Sequence, residues 1–464
     1  MTSHASRREF LKRAGALSMT GVAGPLAMNL AAMSEAAAAN ATGYKALVCV
    51  FLYGGNDYAN TLVTADPTHH ALYTAQRPAI ATPIAALAPT LLAPTTALAD
   101  GRQYALAPQL AGLLPSFDAG KMAVMLNIGT LIEPTTKTQY VNGTVRVPAK
   151  LFSHNDQQST YQSEGPEGST TGWGGRIGDL YATGNGQSIF TCIGMSGNSV
   201  FLSGNSAVAY QMSPSAKNGV VPFNGLAAPL FGSAACTNAL RELITAASVP
   251  RTNLFEAAHA AIAKRSIDAA GLLDTTLASY PASSRFPTGN DLAAQLGLVA
   301  RMIAARDVLK PKRQVFFVSI GGFDNHNGML TDHVDRLNEV NAALVAFQAE
   351  MAALAVENSV TTFTASDFGR TLNSDGDGAD HGWGSMHFVL GGAVNGREFY
   401  GKAPATANDG PNDVGRGRLL PTMAVDQFGA TLGKWFGVSD TELLAIFPNL
   451  ANFTARDLQF MKAG

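Results

Sequence analysis

The sequence carries little charge. Only 14% of its 464 residues are charged, the net charge is −2, and lysine and arginine form no basic patch. A nucleic-acid-binding surface needs clustered basic residues to meet the phosphates. We therefore expect no nucleic acid among the partners of this protein.

Cysteine is also scarce. Cys49, Cys192 and Cys236 form no C-x-x-C pair. This excludes a zinc ribbon, a thioredoxin-like site and attached haem, and the chain also lacks the G-x-G-x-x-G turn of dinucleotide-binding proteins. A redox enzyme is therefore disfavoured.

No apolar run is long enough for an ordinary membrane span. The N-terminal stretch follows the pair Arg7 and Arg8, is broken by glycines and Pro25, and ends in the small residues 36–39. A spanning helix needs about 20 apolar residues. The pattern predicts a twin-arginine export signal over residues 1–39, a periplasmic or secreted location, and no transmembrane anchor in the mature form. An amphipathic N-terminal helix is the alternative.

Apolar runs that end in glycine or polar residues recur through the rest of the chain, and they predict buried strands. The runs are 44–57, 121–129, 187–195, 313–326 and 359–370. A segment with helical spacing, 330–358, separates the last two, which predicts a βαβ unit and a mostly parallel sheet. We expect one α/β domain over 40–464, with helices on both faces of the sheet and a helical and loop insertion at about 197–310.

Three of these predicted strands are followed by aspartate: Asp57, Asp324 and Asp367. Ligands bind at the carboxyl ends of parallel strands, so these side chains meet if their strands are neighbours. His326 follows the second aspartate closely, and His381 lies in a glycine-bounded loop after the third. Carboxylate and imidazole without cysteine suit Zn²⁺, Mn²⁺, Fe or Mg²⁺. Each aspartate could instead cap the helix that follows it.

A second group of polar residues could handle an anion. Ser153 or His154 begins a predicted helix, and a helix N-terminus attracts phosphate or sulfate. Arg176 in "GWGGR" and Arg370 after the last predicted strand are available to clamp an oxyanion. The alternative is that Ser153 is a simple N-cap and "GWGGR" a packed turn.

Several motifs, in order along nearly the whole chain, resemble the twin-arginine-exported family catalogued as domain of unknown function 1501. The motifs are "FLYGGNDYANTLV", "FSHNDQQSTYQ", "GWGGR", "GGFDNH", "SDFGRT", "ADHGWG" and the tail "GRGRLLPTMAVDQFGATLGKWFGVSD" with "IFPNL". That family is in turn similar to the alkaline phosphatase and sulfatase superfamily. The resemblance implies an alkaline-phosphatase-like core with a metal centre and an alcohol nucleophile.

Carried over by motif, the resemblance implies a role for five residues in metal binding: Asp57, Asp324, His326, Asp367 and His381. Phe368 stands where the superfamily has the histidine of an Asp-His-Gly motif, so a single ion is as expected as a pair. The nucleophile position falls on either Ser153 or His154.

The expected function is that of an exported, metal-dependent hydrolase of phosphate or sulfate esters. It would use one or two divalent ions, and Zn or Mn are the metals that we expect before others. Ser153 or His154 would attack or position the substrate, and Arg176 or Arg370 would stabilise the charge on the oxyanion. The expected partner is an anionic small molecule or a surface polymer. The alternative is a catalytically inactive, phosphatase-like protein that binds cell-surface polysaccharide or an assembly partner.

Overall fold

The computed structural model describes residues 41–221, 226, 229–245 and 253–462. Its strands, in chain order, are Lys45–Leu52 (β1), Leu62–Thr64 (β2), Tyr104–Leu106 (β3), Met122–Gly129 (β4), Cys192–Gly194 (β5), Tyr210–Gln211 (β6), Arg313–Ile320 (β7), Val360–Ser366 (β8), Arg370–Asp375 (β9), Gly378–His381 (β10), Ser385–Leu390 (β11), Phe399–Tyr400 (β12) and Met423–Ala424 (β13).

The helices, in chain order, are Tyr58–Thr61 (α1), Pro67–Gln76 (α2), Leu114–Asp118 (α3), Lys137–Val141 (α4), His154–Ser163 (α5), Trp173–Tyr181 (α6), Ala234–Thr245 (α7), Leu254–Ala278 (α8), Asp291–Ala304 (α9), Arg306–Leu309 (α10), Val334–Ala353 (α11), Val425–Phe436 (α12) and Asp440–Ile446 (α13).

One large sheet organises the described chain. Its strand order is β12-β4-β11-β8-β1-β7-β5-β6, with β13 paired to the end of β4. Only β11 runs antiparallel to its neighbours β4 and β8, and the other pairings are parallel. The predicted mixed α/β fold with a mostly parallel sheet is confirmed.

The central strands are buried on both faces, as their continuous apolar sequences predict. In β1, Val48 and Val50 pack into the core that also receives α9 and α11. The alternate residues Leu47 and Phe51 pack into the opposite core with α6 and α12. This alternation follows from the two-residue period of a strand, and it explains why helices cover both faces.

All five predicted strand segments contribute to the large sheet, but two details differ. Segment 187–195 keeps only three residues of strand, Cys192–Gly194, after a short 3-10 turn at Ser188–Phe190. Strands β7 and β8 are joined by α11, as predicted, yet they are not adjacent, because β1 lies between them and pairs with both.

The segment predicted as an insertion, 197–310, is only partly peripheral. Its last long helix, α9, lies against β7 and α11 and buries residues such as Leu296 and Val299 in the main core. The domain boundaries stay a prediction. The predicted signal, residues 1–39, lies outside the described residues. None of the described helices is long and apolar enough to cross a membrane.

The strand order decides which loops meet. Strands β8, β1 and β7 are parallel neighbours, so the loops that carry Asp367, Asp57 and Asp324 leave the same edge of the sheet. Gly54, in the first of these loops, has φ +113, and a Cβ there would overlap the backbone nitrogen of Asp324. Only glycine lets the loops after β1 and β7 approach this closely.

Candidate metal centre

Three imidazole rings and one carboxylate converge at this edge. Asp324 Oδ1 lies 3.1 Å from His326 Nε2 and 3.4 Å from the Nε2 atoms of both His154 and His381. His381 Nε2 lies 3.1 Å from His154 Nε2 and 2.9 Å from His326 Nε2. We call these four residues the histidine cluster.

Three separate parts of the chain deliver the cluster. Asp324 and His326 stand in the loop after β7, and His154 is the first residue of α5. His381 ends β10, whose antiparallel pairing with β9 folds the "DGDGADH" loop back over the sheet edge. The loop can make this turn because its glycines and aspartates favour tight turns.

The hydrogen bonds of the two inner histidines determine which ring nitrogens face the centre. His381 Nδ1 lies 2.7 Å from the carbonyl oxygen of Phe152, which only accepts, so Nδ1 carries the proton. His154 Nδ1 lies 2.7 Å from Asp367 Oδ2 and donates to that carboxylate. When either ring is neutral, its Nε2 therefore presents a lone pair to the centre of the cluster. A carboxylate or carbonyl behind the ring is the usual partner of a metal-binding histidine.

A salt bridge holds the carboxylate of the cluster in place. Arg370 Nη1 donates to Asp324 Oδ1 at 2.7 Å, and its remaining donors bind the carbonyl oxygens of Gly54 and Ala379. Partial burial acts to raise the pKa of Asp324, but the hydrogen bond and charge of Arg370 outweigh it and lower this pKa. Asp324 is thus held in the ionised form that binds cations.

The inner histidines differ in their electrostatics. The hydrogen bond to Asp367 raises the pKa of His154. Burial lowers the pKa of His381. Their rings rest on Phe368, whose ring centre lies 4.8 Å from that of His154 and 4.9 Å from that of His381. Phe368 thus supplies an apolar surface beneath the two rings, at the position where the resemblance implies a further histidine.

The donor set fits a small divalent ion. His154 Nε2 and His326 Nε2 lie 3.1 Å and 2.9 Å from His381 Nε2, a separation at which neighbouring ring nitrogens can bind the same ion. A tetrahedral site with bonds of about 2.0–2.1 Å places its ligand atoms about 3.3 Å apart, close to the 3.1–3.4 Å that separate the ligand atoms of His154, Asp324 and His381. Two overlapping sets satisfy the spacing of ligands, namely His154 with Asp324 and His381, and His326 with Asp380 and His381.

The structure places Asp57 apart from this arrangement, although sequence reasoning assigned it to the metal. Its Oδ1 accepts from the amides of Ala59 and Asn60 at the start of α1. Its Oδ2 accepts from Arg77 Nη1 at 2.7 Å, and both side chains are fully buried. The capping role that the sequence left open is the one observed. Asp367 was also assigned to the metal, but its carboxylate binds the outer nitrogen of the His154 ring and does not face the centre of the cluster. It also accepts hydrogen bonds from Gln158 and from the amide of Gly54.

Two of the predicted catalytic residues also point elsewhere. Ser153 stands at the N-cap of α5, but its hydroxyl donates to Asp156 Oδ2 at 3.1 Å. Arg176 binds the carbonyl oxygens of Ser163 and Ile446 and the carboxylate of Glu164, at the opposite end of α5 from His154. Of the nucleophile pair, His154 is the one that faces the cluster.

Sequence reasoning missed two supports of the site. Gln158 donates to Asp367 Oδ2 at 2.8 Å, and its position four residues after His154 places both on one face of α5. The carbonyl of Phe152 orients His381, and no side-chain pattern could reveal it. Phe152 has φ +71, a conformation that costs a non-glycine residue free energy and that concentrates at functional sites.

The fold is that of a mixed α/β protein, and the cluster is a candidate ligand set for a metal ion at the carboxyl edge of its sheet. The chain belongs to the family described as Protein of unknown function (DUF1501), which matches residues 44–447. No curated protein matches the chain significantly.

Two solved structures are similar to it in fold. The lipoteichoic acid synthase LtaP from Listeria monocytogenes is 7% identical, with 85% of this chain and 72% of that one covered and a TM-score of 0.33. Ps i-CgsB in complex with k-i-k-neocarrahexaose is 8% identical, with 90% and 77% covered and a TM-score of 0.36. At scores below 0.5, neither neighbour bears on the activity of this chain.

Proposed function

We propose that this protein is an exported, metal-dependent hydrolase of phosphate or sulfate esters. The observation that carries the proposal is the convergence of three imidazole Nε2 atoms on Asp324 Oδ1, within 3.4 Å, at the carboxyl edge of a parallel sheet. The side chains of the cluster are 21–47% exposed, so a substrate reaches them from solvent.

The cluster supports one ion rather than two. Both possible ligand sets include His381. Its Nδ1 is engaged by Phe152, so only the lone pair of Nε2 is free to bind, and a single lone pair serves one ion. Imidazole-rich ligand sets suit Zn²⁺, and carboxylate-rich sets suit Mn²⁺ or Mg²⁺, so we expect Zn²⁺ first. A bound ion of this kind lowers the pKa of water and stabilises developing negative charge on an ester.

The residues of the chain favour attack by water. Ser153 is turned toward Asp156, so its hydroxyl is not presented to the cluster. His154 is held by Asp367 and lies 3.4 Å from Asp324, so it serves as a ligand and not as a nucleophile. A direct displacement by water needs no covalent intermediate on the protein.

Positive groups near the cluster are available to meet an anionic ester. Lys150 is 70% exposed and pairs with Asp156 at 3.6 Å, and Arg416 is 73% exposed and pairs with Asp380 at 3.6 Å. Arg418 binds the carbonyl oxygen of His381 and lies over the ring of Phe152. Arg370 is fully buried in its pair with Asp324, so it positions that carboxylate and is not free to contact the substrate. Exposed cations around a cleft raise the local concentration of an anionic substrate.

The first experiment is elemental analysis of the mature protein, purified without added metal, followed by a screen of phosphate and sulfate monoesters and diesters. The test variants are Asp324→Ala and His381→Ala. The matched control is His259→Ala, because His259 is an exposed histidine on α8.

The proposal predicts about one equivalent of Zn or Mn in the native and control proteins, loss of the ion in both test variants, and ester turnover only where the ion is present. Metal without turnover of any ester would move the assignment to the binding alternative, for a surface polysaccharide or an assembly partner. Absence of metal from the native protein, after a challenge with Zn²⁺ and Mn²⁺, would contradict both the centre and the activity.

A further inference from the structure

A loop between β12 and β13 borders the histidine cluster, and hydrogen bonds hold it in one shape. We call its residues 413–419 the arginine loop. Its first residue, Asp413, is buried and accepts from the amides of Gly415 and Gly417, at 2.8 and 2.9 Å. The carbonyl oxygen of Gly417 accepts from the amide of Leu372 in β9, so the loop is fastened to the β9–β10 hairpin.

The arginine loop directs two guanidinium groups at one carboxylate. Arg418 Nη2 lies 3.5 Å and Arg416 Nη1 lies 3.6 Å from Asp380 Oδ2. Arg418 is also held from two other sides, because its Nε donates to the carbonyl oxygen of His381 at 3.0 Å and its guanidinium lies 4.3 Å from the centre of the Phe152 ring. Within the described part of the chain, Arg418 Nη1 has no hydrogen-bond partner, and the side chain is 22% exposed. The guanidinium is thus held in position while one of its nitrogens stays available to a ligand.

Asp380 marks a place from which one anion reaches both the arginines and a metal ion. Its carboxylate belongs to the second of the two ligand sets, so one of its oxygens lies within 4.8 Å of a ring nitrogen of His326 and of His381. A phosphate group offers three strong acceptor oxygens, where a carboxylate offers two. At the place of the Asp380 carboxylate, a phosphate or sulfate group therefore contacts the guanidinium groups with some oxygens and the ion with another.

The arginines hold Asp380 only weakly. Both contacts are longer than the about 2.7–3.2 Å of an ordinary N–H···O hydrogen bond. The side chains of Asp380 and Arg416 are 28% and 73% exposed, and exposed ion pairs contribute little to stability. Arginine and phosphate, by contrast, form paired, charge-assisted hydrogen bonds. An anionic ester therefore displaces Asp380 from the arginines, and a neutral ester does not.

We propose that Arg416 and Arg418 form the oxyanion-binding site of the histidine cluster, with Arg418 as its main anchor, and that Asp380 occupies this site until the phosphate or sulfate group of an ester displaces it. The inference rests on the proposed function and deepens it. It transfers the charge-stabilising role that sequence reasoning gave to Arg176 and Arg370 to two residues that solvent reaches. Competition with Asp380 makes the site selective for anionic substrates.

The test measures binding of sodium phosphate and of sodium sulfate to the mature protein by isothermal titration calorimetry at low ionic strength. It uses the protein as purified and again after dialysis against EDTA. The test variants are Arg418→Gln, Arg416→Gln and Asp380→Asn. A fourth variant, Arg418→Lys, keeps the charge but loses the planar fork that binds an oxyanion at two points.

Two control variants change charge by the same amount away from the site. Arg397→Gln removes an exposed arginine whose amide binds the carbonyl oxygen of Met122, where β4 begins, at the opposite edge of the sheet. Asp375→Asn removes an exposed aspartate at the end of β9. Circular dichroism and thermal melting establish that every variant is folded, and a Zn²⁺ titration of each variant gives its metal affinity.

In the metal-free protein, the proposal expects a Kd for the preferred anion on the order of 1 mM. It expects binding about tenfold weaker or more in Arg418→Gln, and a smaller loss in Arg418→Lys and in Arg416→Gln. It expects binding about threefold tighter in Asp380→Asn, because the competing carboxylate is gone. Both controls should bind as the native protein does. A preference for phosphate or for sulfate supports the proposal in either case and assigns the class of ester.

Native anion affinity in Arg418→Gln would overturn the proposal, and a fall in its Zn²⁺ affinity alone would reduce Arg418 to a positioning residue of His381. An equal loss in Arg397→Gln would overturn it in favour of general charge, and native affinity in Asp380→Asn would refute the displacement. Anion binding that depends on Arg418 in a protein without metal or turnover would contradict the proposed function and leave this site standing. Metal-dependent turnover with anion binding that ignores both arginines would do the reverse.

Discussion

The sharpest prediction concerns Asp367, which we expect to support metal binding without touching the ion. The perturbation is a pair of substitutions, Asp367→Asn and Asp367→Ala. The carboxylate is fully buried, lies 2.7 Å from His154 Nδ1, and also accepts from Gln158 and the amide of Gly54. It therefore holds the His154 ring in place and keeps Nε2 directed at the cluster.

The size of the effect follows from what each substitution leaves behind. Loss of the residue behind a metal-binding histidine weakens metal affinity by about 10–100-fold, or about 1.4–2.7 kcal/mol. Asparagine keeps a neutral acceptor for His154 but turns its amide donor toward the N–H of Gly54, so we expect about a tenfold loss. Alanine removes every acceptor, so we expect about a hundredfold loss.

The assay is a competitive Zn²⁺ titration against a fluorescent chelator of known affinity, with each variant checked for folding in the metal-free state. The matched control is Asp375→Asn, because Asp375 is an exposed aspartate at the end of the same hairpin strand, β9. Metal affinity equal to that of the native protein in both Asp367 variants would refute the proposed orientation of His154. An equal loss in Asp375→Asn would show that only general charge, and not the hydrogen bond, sets the affinity.

Three further predictions separate structural residues from the site. Asp57→Asn should lower the free energy of unfolding by about 3–5 kcal/mol in denaturant titrations, because it leaves the buried charge of Arg77 unpaired, while metal content stays native. Burial lowers the pKa of His333 to about 4, so the folded protein holds it neutral. Its contribution to stability is complete above pH 6.5 and is lost as the pH falls toward 4, by roughly 3 kcal/mol, and His333→Gln should flatten this part of a stability–pH curve. Ser153→Ala should change ester turnover by less than about threefold, because its hydroxyl is bound to Asp156, and a loss above about a hundredfold would restore the serine as nucleophile.

Much of the fold is readable in the sequence because the central strands are buried on both faces. A run such as "ALVCVFL" alternates its side chains between two apolar cores, so every position must be apolar, and the run stands out from amphipathic helices. The short strands β6, β12 and β13 leave no such signal, since two residues make no pattern. They are strands only because a neighbouring strand supplies their hydrogen bonds.

The sequence likewise predicted some residues of the candidate site and not others. Asp324, His326 and His381 are placed in the cluster as the motifs implied, because each lies in a loop that the sheet must deliver to its carboxyl edge. The loop that carries Asp57 leaves the same edge of the sheet, but Asp57 does not join the histidine cluster. The partner that decides this, Arg77, lies 20 residues away and reaches Asp57 because helix α2, which it follows, contacts β2 and β9.

The sequence by itself determined the strands, their parallel arrangement and the set of acids and histidines that arrive at one edge, since these depend on local apolar pattern and on the residues directly after each strand. Only the tertiary structure decided which of them meet. A salt bridge or a hydrogen bond between distant segments depends on the strand order and on a few ångströms of loop placement, and neither is encoded in the spacing of residues along the chain. The roles of Asp367 behind His154, of Phe152 behind His381 and of Arg370 beside Asp324 are therefore properties of the folded protein.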